Sequence, residues 1–364
     1  MLQERLRIAE VAPLWMQVPP KEYGGAELMV SWLTEELTKR GHQVTLFASG
    51  DSITSGRLRP VCQVNLVEAM GAGTAYEYHV YAVSALSEAV SQSASFDLIH
   101  SHVGPLGMPF SRLCPVPLVH TVHAGLDGPD EQWALQRYPE ALIASISDSQ
   151  VATTPAQRRH NITTVYHGCD FSQYEFSPSG GSYLAFISRM GRHKNPRGAV
   201  QIAQKAGIPI ILAGQPQDDS ETEYFEAQVK PLIDGRFVRY LGPVSHQEKI
   251  RLLKGAIALI FPIHWEEHFG IAMIEAMACG TPVVANLRGS VPEVVDQGVT
   301  GFYSSDESEL PDLVLRASSL DRRRLYERAK RRFSHIQMVE NYLQLYRSAI
   351  LASMQASPLA ARSD

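Results

Sequence analysis

Apolar positions in the first half of the chain fall into short runs, each closing on polar residues: "RLRIAEVAP", "QVTLFASG", "FDLIHSH", "PLVHTVHA" and "ALIASISDSQ". Runs of this length bounded by polar positions predict buried strands. Between the first two lies "GGAELMVSWLTEELTKRGH", whose apolar positions recur with helical spacing and which stops at Lys39, Arg40 and Gly41. Strand, helix and strand joined by a short link predict a βαβ unit and a parallel sheet. Open sheets of this kind gather their ligands at the carboxyl edge of the strands.

The pattern breaks at "CDFSQYEFSPSGGSY", residues 169 to 183, where Ser, Gly and Pro give a linker composition. It then restarts. "YLAFISRM", "IPIILAGQ", "RFVRYLGPV", "IALIFPI" and "TPVVANLRG" read as strands, with "NPRGAVQIAQKAG" and "HQEKIRLLKGA" as helices between them. The tail from "DRRRLYERAKRRF" through "SHIQMVENYLQLYRSAILASM" reads as helix throughout. The expectation is an α/β protein with two Rossmann-like, doubly wound parallel-sheet domains facing across a cleft, residues 1–175 and 176–335.

Bulk properties narrow the function. At 364 residues the chain exceeds what one core comfortably supports. A net charge of −5 gives no reason to expect nucleic acid as a partner and argues against an anionic membrane. Cys62, Cys114, Cys169 and Cys279 stand far apart with no C-x-x-C pair, which fits reduced thiols better than disulfides or zinc. The start, "MLQERLRIAEVAP", lacks the form of a secretory signal, and no apolar run reaches bilayer length. A soluble, cytoplasmic protein is expected.

Three constellations carry chemistry. In "YGGAE", Gly24 and Gly25 open a helix, so backbone passes close to a ligand and leaves N–H groups aimed at it; a plain tight turn gives the same letters. In "FISRMGRHKN", Arg189 and Lys194 follow a strand where the next helix starts, a placement that suits a diphosphate but also an ordinary basic loop. In "WEEHFGIAMIEAMACGTPVVA", Phe269, Gly270, Ile271 and Ala272 enter a helix with free amides. Glu267 precedes that turn, and Glu275 leans back toward it from one turn inside. Two carboxylates beside a row of donors suit a polyhydroxylated ligand. Taken alone, they read more simply as a residue complementing the helix dipole, Glu275, and a surface charge, Glu267.

Together "GGAE", "SRMGRHK", "EEHFGIAMIEAMACGTPVVA", "GSVPEVVDQGVTGF" and "VYHGCD" resemble family 4 of the retaining glycosyltransferases of GT-B fold, over nearly the whole chain. His167 stands where that family more often has Asn. The short "VPPKEYGGAE" opening looks most similar to compact bacterial members of the avilamycin-pathway type. The resemblance implies a nucleotide-sugar donor on the second domain, with Arg189 and Lys194 neutralising the leaving diphosphate in place of a metal. The sequence has no D-x-D. Glu275 would hold the ribose, Glu267 and the Phe269 to Ala272 backbone the sugar, and Gly24 and Gly25 the phosphate. Gly214 and Val244 would lie near the base. His123, closing "LVHTVH", would sit near the reacting sugar, while His120, His100 and His102 read mainly as structural, with His102 a possible cleft residue. A terminal helix at about 336–355 would cross back onto the first domain.

The implied activity is transfer of a hexose to an acceptor hydroxyl without metal or cofactor, with UDP-glucose-like donors favoured and GDP-mannose second. A nucleotide-sugar epimerase or hydrolase, and a non-catalytic nucleotide-sugar binder, remain alternatives on the same fold. The acceptor is unspecified. Trp15, Tyr23 and Trp133 lie in loops that vary freely in folds of this type, and could stack on it or simply pack. Arg322 to Arg324 and Lys330 to Arg332 could meet acidic lipid, but read more simply as a solvated helix face.

Overall fold

The computed structural model describes residues 5–21 and 24–356, with 156–158 and 356 described by backbone alone. Tyr23 lies outside the described residues. The chain divides into two compact units, one running to His167 and resuming at His335, the other Gly168–Ser334.

The first unit holds seven strands: β1 (Arg7–Val11), β2 (Gln43–Ser49), β3 (Arg57–Cys62), β4 (Leu98–Ser101), β5 (Leu118–Thr121), β6 (Leu142–Ser145) and β7 (Ile162–Thr164). They are parallel neighbours in the order β3-β2-β1-β4-β5-β6-β7. Ile8 of β1 pairs with Val44 of β2 on one side and Leu98 of β4 on the other. The second unit holds six: β8 (Tyr183–Ile187), β9 (Ile210–Ala213), β10 (Val238–Tyr240), β11 (Ala256–Phe261), β12 (Val283–Asn286) and β13 (Gly301–Ser304), ordered β10-β9-β8-β11-β12-β13. In both sheets the strand order reverses beside the first strand, the switch point where open α/β sheets bind ligands.

Burial explains which runs become strands. β9, "IILA", is buried at every position, as strands sandwiched between helices are. Phe186, Leu212, Ile260 and Val284 meet Val200 and Val314 in the core of the second unit. Phe47, Ile99, Leu86 and Leu14 do the same in the first. β3, β7 and β13 do not stand out in the apolar pattern: β3, "RLRPVC", is only partly buried at an edge, and β7 is three residues long.

Three expectations need correction. The segment 169–175 belongs with the second unit rather than the first. Cys169 donates its N–H to Phe333 O at 2.9 Å, and Tyr174 is buried there with its hydroxyl on Glu275. The tail is also two helices, Arg322–Phe333 and His335–Ala356, because Ser334 is extended (φ −68°, ψ 148°) and ends the first of them. The break falls where the chain returns to the first unit, in which the last helix packs against helix Gly25–Lys39.

Arg322, placed by the sequence on a solvated basic face, is instead 7% exposed. Its guanidinium donates to the carbonyls of Ala256 and Ile257 (the latter at 3.2 Å) and to Thr281 Oγ1 at 3.3 Å. Carbonyls at the start of a central strand are costly to leave unmet, and one side chain meets them. Arg322→Met keeps the stem but removes every donor. Urea unfolding should then show a loss of about 2–4 kcal/mol, the cost of the stranded groups. An unchanged midpoint would mean the guanidinium bonds contribute nothing.

Candidate functional site

In the second unit the loop after β8 carries Arg189 and a single turn, Arg192–Lys194. Asn195 ends that turn in the left-handed region (φ 56°), and its side chain caps helix Pro196–Ala206 by accepting from Gly198 N–H at 2.9 Å. The same amide donates to Pro262 O at 2.9 Å, tying the turn to the end of β11. Lys194 is thereby aimed at the segment after β11. Its Nζ donates to Glu267 Oε2 at 2.7 Å and lies 4.4 Å from the Trp265 ring centroid. Trp265 Nε1 donates to that same oxygen at 3.2 Å.

Arg189 joins this group through His193. Its Nη2 donates to His193 Nε2 at 2.8 Å, and the His193 ring stands edge-on to Trp265 at 5.2 Å. Its Nη1 donates to Gln217 Oε1 at 3.2 Å and lies 3.4 Å from Glu221. Burial, reinforced by Arg189 and Lys194, pushes the His193 imidazole below its ordinary value. The neutral ring has the bare nitrogen that accepts from Arg189. Burial alone would raise the Glu267 carboxyl, but the Lys194 charge and hydrogen bond, with Trp265, hold it below the ordinary carboxylate value. The result is a compact group: two cations, one ionised carboxylate and an indole.

The loop that positions Glu267 is clamped from the segment after β12. Ser290 N–H donates to Glu267 O at 2.8 Å and Gly289 N–H to Glu266 Oε2 at 2.6 Å. Gly270 then turns the chain with φ 77°, which favours glycine, and caps helix Ile271–Ala278 without a side-chain acceptor. Phe269 is buried against Phe333 with ring centroids 5.9 Å apart. Ile271 and Ala272 are half-buried, and their amides belong to the first turn, which has no intrahelical acceptors. Glu275, four residues into the helix, has partners of its own: Tyr174 Oη donates to its Oε1 at 2.7 Å, and Lys249 Nζ bonds the same oxygen. Burial and the Glu275 charge push the Tyr174 hydroxyl and the Cys279 thiol upward, the latter to about 12.

Gly214 meets the "LGPV" turn, donating its N–H to Gly242 O at 2.8 Å and accepting from Tyr240 Oη at 2.8 Å. A Cβ there would come within 1.9 Å of Ser188 O, so close packing by itself requires glycine. Val244 is half-buried just ahead of the Ser245–Glu248 capping box.

In the first unit Gly24 caps the helix that starts at Gly25. His123 follows β5, and both its ring nitrogens are engaged: Nε2 with His102 Nδ1 at 3.0 Å and Nδ1 with His167 Nε2 at 3.3 Å. His102 Nε2 in turn meets Glu10 Oε2 at 3.0 Å. His120 bonds Ser111 Oγ at 2.9 Å instead. Trp15 stacks on Tyr78 at 4.5 Å, and Trp133 stands edge-on to Tyr138 at 6.3 Å.

Sequence reading missed Glu10, Glu221, Lys249 and Tyr174. Glu10 had a visible signal, a lone charge inside an apolar strand. Lys249 and Tyr174 had none, lying in an ordinary amphipathic helix and in the linker composition. Among the described residues, Glu10, His100 and His102 also place ligand-type atoms within 4.8 Å of one another, a separation that could suit a metal ion.

Among the described residues, no helix is long and apolar enough to cross a membrane. A family model described as Glycosyltransferase Family 4 matches residues 23–187, and one described as Glycosyl transferases group 1 matches 170–332. D-inositol 3-phosphate glycosyltransferase of Mycobacterium tuberculosis (strain ATCC 25618 / H37Rv) is 28% identical over 308 residues, covering 72% of this chain. The chain spans about 64% of the length of that curated relative. AviGT4, a glycosyltransferase involved in avilamycin A biosynthesis, has a similar fold (TM-score 0.73, 21% identity, covering 95% of this chain and 98% of that one). So does HepE of Anabaena, solved with UDP and glucose (TM-score 0.70, 19% identity, covering 94% and 100%). The chain belongs to the GT-B glycosyltransferases, its first half matching Glycosyltransferase Family 4 and its second half Glycosyl transferases group 1.

Proposed function

We propose that this protein is a retaining glycosyltransferase that moves a hexose from a nucleotide-sugar donor, UDP-glucose or a close relative, to an acceptor hydroxyl without a metal ion. GDP-mannose is the second-choice donor. The observation that carries the reading is the contiguous group Arg189, His193, Trp265, Lys194 and Glu267, which supplies two cations beside a carboxylate and a helix entrance. Leaving of a nucleoside diphosphate builds negative charge on the β-phosphate, and preplaced cations and amides lower that barrier most. Lys194 and Arg189 take that role. Glu267 and the backbone from Phe269 to Ala272 hold the sugar, and Glu275, oriented by Tyr174 and Lys249, holds the ribose hydroxyls. Gly214 and Val244 lie by the base, and Gly24, Gly25 and His123 keep the phosphate and sugar roles that the family resemblance gives them. The acceptor oxygen attacks the anomeric carbon from the face the phosphate leaves, its proton passing to the departing phosphate oxygen. A glycosidase-type carboxylate pair is then unnecessary. The solved complex of HepE with UDP and glucose supports the choice of donor. The absence of a transmembrane-type helix among the described residues is compatible with the cytoplasmic location we assign.

Thermal-shift measurements with UDP, GDP, ADP and their hexose conjugates test the donor. UDP and UDP-glucose should raise Tm most, by the equivalent of about 2–3 kcal/mol at a hundredfold excess over Kd. The shift should survive EDTA. Loss of the shift on chelation would end the metal-independent reading.

Lys194→Ala should lower kcat/KM for UDP-glucose by about 10²–10³-fold, the usual cost of one transition-state contact. A change below about threefold would show that Lys194 does not face the leaving group.

Glu267→Gln should cost about 2 kcal/mol of stability near neutral pH by leaving Lys194 without its counter-charge. Because the Glu267 carboxyl is held below its ordinary 4.5, its contribution is complete above that pH and is lost as pH falls through the lowered value. Urea titrations of wild type and variant should therefore converge in acid, and a gap that widens toward acid would reverse the assignment.

A further inference from the structure

The row Glu10, His102, His123 and His167 runs across the carboxyl end of the first sheet from β1 to the segment after β7. Its rings are evenly placed: His102 to His123 and His123 to His167 are each 5.2 Å between centroids and 27° between planes. Glu10 and the His100 side chain are 0% exposed, His102 and His167 each 3%, and only His123 among the three stacked rings is half-buried.

The proton positions follow from the carboxylate. Glu10 is surrounded by donors: His102 Nε2 at 3.0 Å, His100 Nδ1 at 3.1 Å and Tyr346 Oη at 3.1 Å. An ionised carboxylate only accepts, so His102 carries its proton on Nε2. Burial and the neighbouring His100 push the His102 imidazole down to about 4, so near neutral pH its Nδ1 is a bare acceptor. His123 must then donate from Nε2 to fill it. Burial, His167 and His102 push His123 well below its ordinary value too, which leaves its Nδ1 bare and met by the Nε2–H of His167. Every bond in the row points the same way, toward Glu10. The side branches close as well: His100 Nε2 and Thr121 Oγ1 are hydrogen-bonded at 2.7 Å, and Thr121 Oγ1 and Tyr342 Oη at 2.9 Å.

We infer that Glu10, His102 and His167 are positioning residues that lock His123 as the Nε2–H tautomer with a bare Nδ1, so that His123 reads a hydroxyl group as a hydrogen-bond acceptor. The role toward a sugar or acceptor hydroxyl rests on the proposed transferase reading; the tautomer does not. The longest bond of the row, 3.3 Å between His123 and His167, is the one a ligand hydroxyl would replace. The buried carboxylate, acting through His102, makes that nitrogen a better acceptor, as a carboxylate behind a histidine does in other sites.

A metal ion on Glu10, His100 and His102 makes the opposite prediction. It would take His102 Nε2 as ligand, turn Nδ1–H toward His123 and reverse the row.

The test is a long-range 1H–15N spectrum of protein labelled with 15N-histidine, recorded at pH 7.5 without substrate, with metal content measured on the same sample. His102, His123 and His167 should all appear neutral with the proton on Nε2, and metal should be far below one equivalent. A proton on His123 Nδ1, a charged His123, or stoichiometric metal overturns the inference. Glu10→Gln, which keeps the shape and removes the charge, should mix the tautomers of His102 and His123. It should lower kcat about ten- to a hundredfold with KM changed less than about twofold. Unchanged tautomers in that variant would remove Glu10 from the role. The expected tautomers in a protein that turns over no nucleotide-sugar would leave the lock standing and remove only its transferase use.

Discussion

A carboxylate that never meets water has to be met by protein, and Glu10 imposes that requirement on the whole first unit. Its donors come from β4 and the residue beyond it and from the terminal helix, 90 and more positions away along the chain. Losing any one of them leaves a buried charge short of a partner, a larger penalty than a lost surface contact. The strand order, which sets β1 between β2 and β4, is what brings those donors to one place. Tyr342 and Tyr346, among the largest fully buried side chains, hold the terminal helix against the same polar knot.

The second unit solves a related problem differently. Lys194, Glu267, Glu275 and Lys249 are paired at the edge of the interior rather than sealed inside it, with side-chain exposures between 6% and 15%. Such pairs are strong enough to fix side-chain directions yet shallow enough to exchange one partner for an incoming oxygen. The clamp of Ser290 on the Glu267 backbone and the cap of Asn195 below Lys194 fix the loops, so the pairs can re-form without moving the chain.

Much of the fold was legible because parallel sheets write themselves as isolated apolar runs separated by helical spacing. The runs that became β1, β2, β4, β5 and β6, and β8 through β12, were visible for that reason. Of the four edge strands, β3, β7 and β13 did not stand out in the apolar pattern, while β10, framed in "RFVRYLGPV", did. The donor-side elements of the candidate site were readable where spacing and glycine marked a helix entrance, at Lys194 and at Gly270. Glu221, Lys249 and Tyr174 were not, because their partners are set by how distant segments pack. His102 and His167 were noticed singly, but nothing in one dimension says that two histidines and His123 line up.

The return of the chain to its first unit at His335 has a consequence for biosynthesis. The second unit is one continuous stretch, Gly168–Ser334, and all of its sheet has emerged before the last helix does. The first unit is begun earlier but finished later, because Tyr346 reaches Glu10 only after His335–Ala356 has left the ribosome. The usual sequence, amino-terminal domain first, thus cannot run to completion in this chain, because the donor that Tyr346 gives Glu10 lies beyond the whole of Gly168–Ser334.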